Sequence, residues 1–264
     1  MFSRKVLNVF QALFTVVFVV IIWEICARIH FLGDRSFLPP FTEVLVQLYK
    51  LGQQDILFYH FSSSLIRVLA GLLIGVLSGF IIGFLMGYRE AMYRSLGPLL
   101  SLLYPIPALG WLPLLMIWIG INEALPIIII AISTFFPMYY STVSGIRSVD
   151  RRMIQAAKIL GASNIRILKT VVMPLALPAI FSGLRLSSGM SWRVVIAAEM
   201  VAIPTGIGAL LMQAESLIRV DIIIGCLFIL ALMCFCFENM IGLVEKSLTK
   251  SWKEDGQNHP LQYQ

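Results

Sequence analysis

Apolar runs long enough to cross a bilayer as helices, about 20 residues each, recur along most of this 264-residue chain. No other feature constrains its fold as strongly. Charged residues make up 13% of the chain and apolar ones 59%, whereas a soluble domain carries about 25% charged residues. The expected fold is all-α: a polytopic membrane protein of about six transmembrane helices. It forms a single transmembrane domain over 1–264, with no room for a separate soluble domain.

The expected spans run from Leu7 to Ala27, Leu65 to Gly87, Leu96 to Ile121, Leu125 to Gly145, Leu175 to Val201 and Ile222 to Leu243. Positive charge then sets the orientation. Arg4 and Lys5, Arg89 and Arg94, the run from Arg147 to Lys169, and Lys246, Lys250 and Lys253 all fall on one side. That side is expected to be the cytoplasm, with both termini inside. The net charge of +6 reflects this bias rather than nucleic-acid binding, because aromatic–basic repeats are missing. Arg4 and Lys5 before an apolar run resemble a signal peptide. The run continues to Cys26 without a small-residue cleavage site, so it reads as a retained first span. Cys26, Cys226, Cys234 and Cys236 all lie in apolar runs and read as inert buried thiols.

Two non-spanning segments stand out on the opposite side. Ser36 to Gln54 contains Pro39 and Pro40, then Val44, Leu45 and Leu48, which suits a short amphipathic helix at the interface. Ile203 to Arg219 carries Pro204, Gly206 and Gly208. It reads as a bent or re-entrant hairpin, tolerated only where protein or a water cavity covers it, and as a candidate outer gate. The last dozen residues are polar and expected to fray.

On the side expected to be cytoplasmic, Asp150 reads as the N-cap of a helix from Arg151 to Leu160, with Gly161 as its stop. Ala156 and Ala157 carry almost no side chain, so another protein could approach the backbone closely. Ile154, Lys158 and Gly161 extend that face at helical spacing. Spacing alone leaves two readings: a docking surface, or an amphipathic loop resting on the membrane.

The run Gln155-Ala-Ala, then Gly161, then Val171, Met173 and Pro174 resembles the EAA motif of permease subunits from ABC importers. Ser64 to Gly71, Pro105 to Leu115 and Ala197 to Met200 extend the likeness to the nitrate/sulfonate/taurine branch of that family. The resemblance implies a coupling segment over about 148–170, in which Gln155, Ala156, Ala157, Lys158, Gly161 and Pro174 serve docking to an ATPase subunit. It further implies a homodimer, two cytosolic ATPases that hold ATP and Mg, an extracytoplasmic binding protein, and a bacterial cytoplasmic membrane around the chain. This chain itself is expected to bind no cofactor or metal. Gln155 stands where the family usually has glutamate, so a salt bridge at that position is not expected.

Charges inside spans cost about 2.5–3.5 kcal/mol each at the centre on insertion scales. Glu24 and Arg67, near span ends, suit snorkelling or structural pairing, and Arg185 suits an ion pair or a place on a pathway. Arg193 and Glu199 are the stronger path candidates, with Trp111 and Trp192 as candidate walls. An arginine fork at 193 would suit a passing oxyanion. Pro105, Pro107, Gly110 and Pro113 demand a bent or interrupted third span. No Walker-type phosphate loop occurs, and His30, His60 and His259 are too scattered for a metal set. The rivals are an ion-coupled secondary transporter using Glu24 or Glu199, and an intramembrane enzyme. The lack of a visible internal repeat speaks against the first.

Overall fold

The computed structural model describes residues 2–29 and 38–257, without the side chains of residues 2–10, 12–13, 202 and 247–257. Expectations resting on Arg35, Ser36 and residues 258–264, or on the side chains of Arg4, Lys5, Lys250 and Lys253, lie outside the described residues. Every regular element among the described residues is a helix. In order they are α1 (Phe2–Arg28), α2 (Phe41–Gln53), α3 (Ile56–Tyr88), α4 (Glu90–Leu103), α5 (Leu112–Ile119), α6 (Ala124–Arg147), α7 (Arg151–Ile159), α8 (Asn164–Ile167), α9 (Met173–Ala202), α10 (Ile207–Ser216) and α11 (Val220–Gln257).

Four stretches are long and apolar enough to span a membrane: Ile56–Tyr88, Ala124–Arg147, Asn164–Val201 and Val220–Lys246. The pair Glu90–Leu103 and Ala108–Ile119, bent by 83°, makes a fifth if it counts as one broken span. α1 covers the residues of the expected first span, Leu7 to Ala27, but is not one of these stretches. The break in the third span falls where the sequence places it. Pro105 and Pro107 lack N–H groups and take two donors out of the helical ladder, although Tyr104 before Pro105 keeps helical dihedrals (φ −55°, ψ −43°). The chain resumes as a single 3-10 turn, Ala108–Trp111, before α5.

The centre of the fold is a packed trio, α3, α6 and α9. α3 meets α6 along a stripe of glycines at every fourth position: Gly71, Gly75, Gly79, Gly83 and Gly87. A Cβ at Gly75 would lie 2.0 Å from Thr134 Oγ1 and 2.4 Å from the Ala131 carbonyl oxygen. In lipid, helices gain little from hiding apolar area, so small residues that let backbones touch supply the attraction. The same device joins α6 to α9, where Gly145 faces Ala176 and Ala179, and Gly183 faces Ser141. This stripe was visible in the spacing of the sequence but carries no weight in a reading based on hydropathy alone.

The peripheral helices fill in around the trio. α2 is the expected short amphipathic helix, with Val44 and Leu51 buried and Glu43 exposed. Leu48 packs onto the bare backbone of Gly225 in α11. Glu24 pairs with Arg28 at 2.7 Å and accepts from the Thr42 N–H at 3.2 Å, placing a carboxylate at the N-terminus of α2. It is thus a structural link between α1 and α2. The first half of α10, Ile207 to Leu211, and Ala214 are buried, while Met212, Gln213, Glu215 and Ser216 are exposed, so the glycine-rich segment is a loop and short helix with one side tucked into the protein. Large apolar side chains such as Phe14, Leu73, Phe235 and Leu243 remain exposed on the flanks, as a hydrocarbon surround permits.

Candidate functional site

The charged segment between α6 and α9 is built from local signals. Asp150 Oδ1 accepts from the Arg152 N–H at 2.8 Å and caps α7. Gly161, at φ +79°, ends it in the left-handed region. There the Gly161 N–H donates to the Lys158 carbonyl at 2.9 Å and the Ala162 N–H to the Ala157 carbonyl at 3.0 Å. Ser163 Oγ caps α8 by accepting from the Arg166 N–H at 3.3 Å. Pro174 brings no N–H to the ladder, and the chain enters α9 through a π turn over Leu168–Val172.

α7 has two distinct sides. Ile154 and Ala157 turn inward and pack with Ile146, Val149 and Ile167. Gln155, Ala156 and Lys158 face outward, and Met153 is half exposed. Ile159 and Leu160 are 87% and 86% exposed, the most exposed large apolar side chains among the described residues, and they stand together at the end of a polar, charged helix; adjoining apolar side chains left in the open mark contact sites. The face expected to dock is therefore divided. Ala157 and Ile154 seat the helix, while Ala156, Ile159 and Leu160 present it. A groove of about 490 Å³, lined by Glu90, Arg147, Arg151 and Lys158 among others, runs beneath α7. Arg147 bridges it, pairing with Glu90 at 2.8 Å and lying 4.0 Å over the Tyr93 ring.

At the other end of the helices, a buried clamp holds the α9–α10 loop. Arg67 is 2% exposed and uses all five of its N–H donors. Nε and NH2 donate to the two Glu123 carboxylate oxygens at 2.6 and 2.9 Å. NH1 donates to Glu199 Oε1 and to the Thr205 carbonyl, both at 2.7 Å, and NH2 to Thr205 Oγ1 at 2.5 Å. Glu199 is fully buried. Besides Arg67 it meets Ser64 Oγ at 2.8 Å and accepts from the Gly208 N–H at 3.0 Å, so its charge sits at the N-terminus of α10. The Ile207 N–H donates to Ser64 Oγ at 2.8 Å, and His60 Nδ1 lies 3.1 Å from the Gly206 nitrogen. Gly206 has φ +110°, and a Cβ there would lie 2.2 Å from the Glu199 carboxyl carbon. Only glycine lets this loop close over this carboxylate. Outside the spans, the Arg67 fork beside Glu123 holds the Glu123 carboxyl below the usual carboxylate range.

The clamp gathers residues that sequence reasoning treated singly. Arg67, placed near a span end, belongs to it together with Ser64, Glu123 and Thr205. The available signal was two buried charges of opposite sign, Arg67 and Glu199, each needing a partner inside the spans. Gly206 and Gly208 are buried in the clamp, whereas Pro204 is exposed. Glu199 lines no open surface in this conformation, and it is not brought together with Arg193.

The other path candidates are scattered. Trp111 is half buried and borders an apolar groove of about 400 Å³ with Ile74, Leu103, Ile128 and Phe136. Trp192 is 2% exposed and stacks edge-on with Phe237 at 5.4 Å; its Nε1 finds no hydrogen-bond partner among the described residues. Arg193 is exposed on α9. Arg185 forms an ion pair with Glu245 of α11.

Broken and continuous apolar helices around a glycine-packed trio define an all-α, polytopic membrane protein. Residues 71–250 match the family described as "Binding-protein-dependent transport system inner membrane component", and the chain belongs to that family. It is 32% identical over 233 residues to the taurine transport system permease protein TauC of Escherichia coli (strain K12), covering 86% of this chain and 84% of that one. It is also 32% identical over 237 residues to the riboflavin transport system permease protein RibX of Chloroflexus aurantiacus, covering 89% and 88%. Among solved structures, the inward-facing MetNI methionine ABC transporter shares the fold, with a TM-score of 0.55 at 14% identity over 69% of this chain and 93% of that one. The protein is thus a multi-pass permease subunit of an ABC transporter of the binding-protein-dependent kind, and such subunits are not themselves enzymes.

Proposed function

We propose that this chain is the transmembrane subunit of an ATP-driven importer for a small solute with an anionic group, of the sulfonate or taurine kind. The observation that carries the reading is the α7 crown. A helix seated by Ile154 and Ala157 offers Ala156, Ile159 and Leu160 to a partner, in the register of the coupling segment of ABC permeases. In this reading the α7–α8 face is cytoplasmic, six helices span the bacterial cytoplasmic membrane, and both termini lie inside. Two copies form the pathway. Two cytosolic ATPases, which hold the ATP and Mg, dock on the two crowns. A binding protein delivers solute at the α10 face, where Pro204, Gly206 and Gly208 form the outer gate.

The parts then act in sequence. ATP-driven closure of the ATPases pushes on α7 and α8. The seated side of α7 and the tight α6–α9 and α3–α6 seams transmit that push as near-rigid motion. Release of the loop requires the Arg67–Glu199 clamp to give way. Arg193, exposed on α9, meets the solute, while Gln155 contributes shape rather than a charge pair to the docking. The test is uptake into proteoliposomes holding the chain with its ATPase and binding protein. Uptake should need internal ATP and ignore protonophores. Uptake that survives ATP removal and follows a proton gradient would establish an ion-coupled carrier instead. Unchanged uptake by an assembled Arg193→Gln transporter would exclude that residue from the path.

A further inference from the structure

Four ionisable side chains lie along the α9–α11 pair: Arg185, Arg193 and Glu238 inside the spans, and Glu245 at the end of the Val220–Lys246 stretch. Arg185 and Arg193 stand on α9, eight positions or about 12 Å apart along the helix. Glu238 and Glu245 stand on α11. Arg185 pairs with Glu245, their side chains 45% and 22% exposed. Arg193 is exposed and makes no ion pair among the described residues, and Glu238 is half buried and makes none either. Both converge on the bare backbone of Gly189. A Cβ placed there would lie 2.3 Å from Glu238 Oε1 and 3.9 Å from Arg193 NH2. Cys234 lies beside both side chains, with its Sγ 3.5 Å from the Gly189 carbonyl oxygen.

Charges at this depth do not face hydrocarbon; they face protein or a water-filled cavity, and they mark solute pathways. The strip carries two positive and two negative charges, so it has no net attraction for a simple anion. It has instead a guanidinium and a carboxylate held side by side, neither of them spent on an ion pair. We infer that Arg193 and Glu238 form a solute station for a small zwitterion, the acidic group of the solute on Arg193 and its ammonium on Glu238, with the Arg185–Glu245 pair as the next station toward the cytoplasm. This rests on the permease reading above and narrows its solute from anions to amino acids or amino sulfonates. Opposite charges on both partners fix solute orientation, and a carboxylate beside each guanidinium competes with the solute and keeps its residence short. A side chain at position 189 would displace the Glu238 carboxylate from this place.

Cys234 is a native reporter of this station. The experiment uses the assembled transporter, with Cys26, Cys226 and Cys236 replaced by alanine, and measures labelling of Cys234 by charged, membrane-impermeant methanethiosulfonates. The station predicts labelling, and protection by taurine of about tenfold at ten times its dissociation constant. The matched anion 2-hydroxyethanesulfonate and the matched cation ethylammonium should protect little. Glu238→Gln should bring protection by taurine down to that of the anion. An unlabelled Cys234 would show that a second copy or lipid covers the face, and equal protection by taurine and the anion would show a plain anion path; either overturns the inference. Co-purification of the ATPase with the same preparation judges the permease reading separately, since that association does not depend on the station.

Discussion

Replacing Arg67 by glutamine tests the clamp most sharply. The substitution removes the charge and most of the five-donor fork that joins α3 to Glu123, Glu199 and Thr205. Glu199 then remains fully buried, with Ser64 and the Gly208 N–H as its remaining partners. Breaking a buried pair from one side costs about 3–5 kcal/mol, because the other charge is left uncompensated. Most of that cost should appear as opening of the α9–α10 loop rather than global unfolding, since the glycine-packed trio is untouched. At 1.4 kcal/mol per decade, amide exchange at Ile207 and Gly208 should accelerate by about two to three orders of magnitude. Hydrogen-exchange mass spectrometry of the protein in nanodiscs reads this directly. Arg67→Lys, which keeps the charge but loses the planar fork, should fall between. The double variant Arg67→Gln with Glu199→Gln should recover much of the loss, because the stranded charge is gone. Wild-type exchange in Arg67→Gln, or additive losses in the double variant, would refute the reasoning.

Other predictions follow from the same geometry. Gly75→Val forces side-chain atoms against Thr134 and the Ala131 carbonyl, so it should cost at least the ~1–3 kcal/mol of overpacking. The thermal midpoint in detergent should drop by several degrees, while Gly97→Ala, with nothing within 4 Å, should leave it unchanged. Leu160→Asp and Gly161→Pro should abolish coupled ATPase stimulation, whereas Gln155→Ala should reduce it modestly; the reverse order would contradict a shape-based interface. Ala157→Trp should uncouple too, by unseating α7 rather than by blocking its outer face. Because the Glu123 pKa is lowered by Arg67, its hold on the clamp is present above the ordinary carboxylate value of about 4.3 and is lost as pH falls through the lowered one. A spin label at Leu217→Cys should therefore keep its line shape from neutral pH to about 5 and become more mobile in stronger acid, and Glu123→Gln should give the more mobile spectrum throughout.

What could be read from the chain divides along physical lines. Spans follow from apolar run length, and the broken third span from Pro105 and Pro107, because both effects are local. α7 and its Gly161 stop were legible for the same reason: a cap and a left-handed turn need only neighbours in sequence. Which side of α7 docks was not legible, because the inward turn of Ala157 depends on Ile146, Val149 and Ile167 meeting beneath it. The clamp joins residues from α3, the α5–α6 turn, α9, the α9–α10 loop and the start of α10, so no window of sequence contains it. Arg67 and Glu199 still announced it as opposite charges in spans that could not stand alone. The glycine stripe of α3 was written in plain four-residue spacing. Hydropathy averages over it, and only the partner helix α6 gives it meaning.

The central claim is that force from a cytosolic ATPase enters through the α7 crown. A photo-crosslinker at Leu160, 86% exposed on that crown, compared with one at Ile117, 81% exposed on α5, tests it in a single gel. The account predicts that Leu160 captures the ATPase subunit, in a yield that changes between ATP-bound and nucleotide-free states, and that Ile117 does not. Capture of the ATPase at neither position, in membranes where ATP-driven uptake is intact, would contradict it.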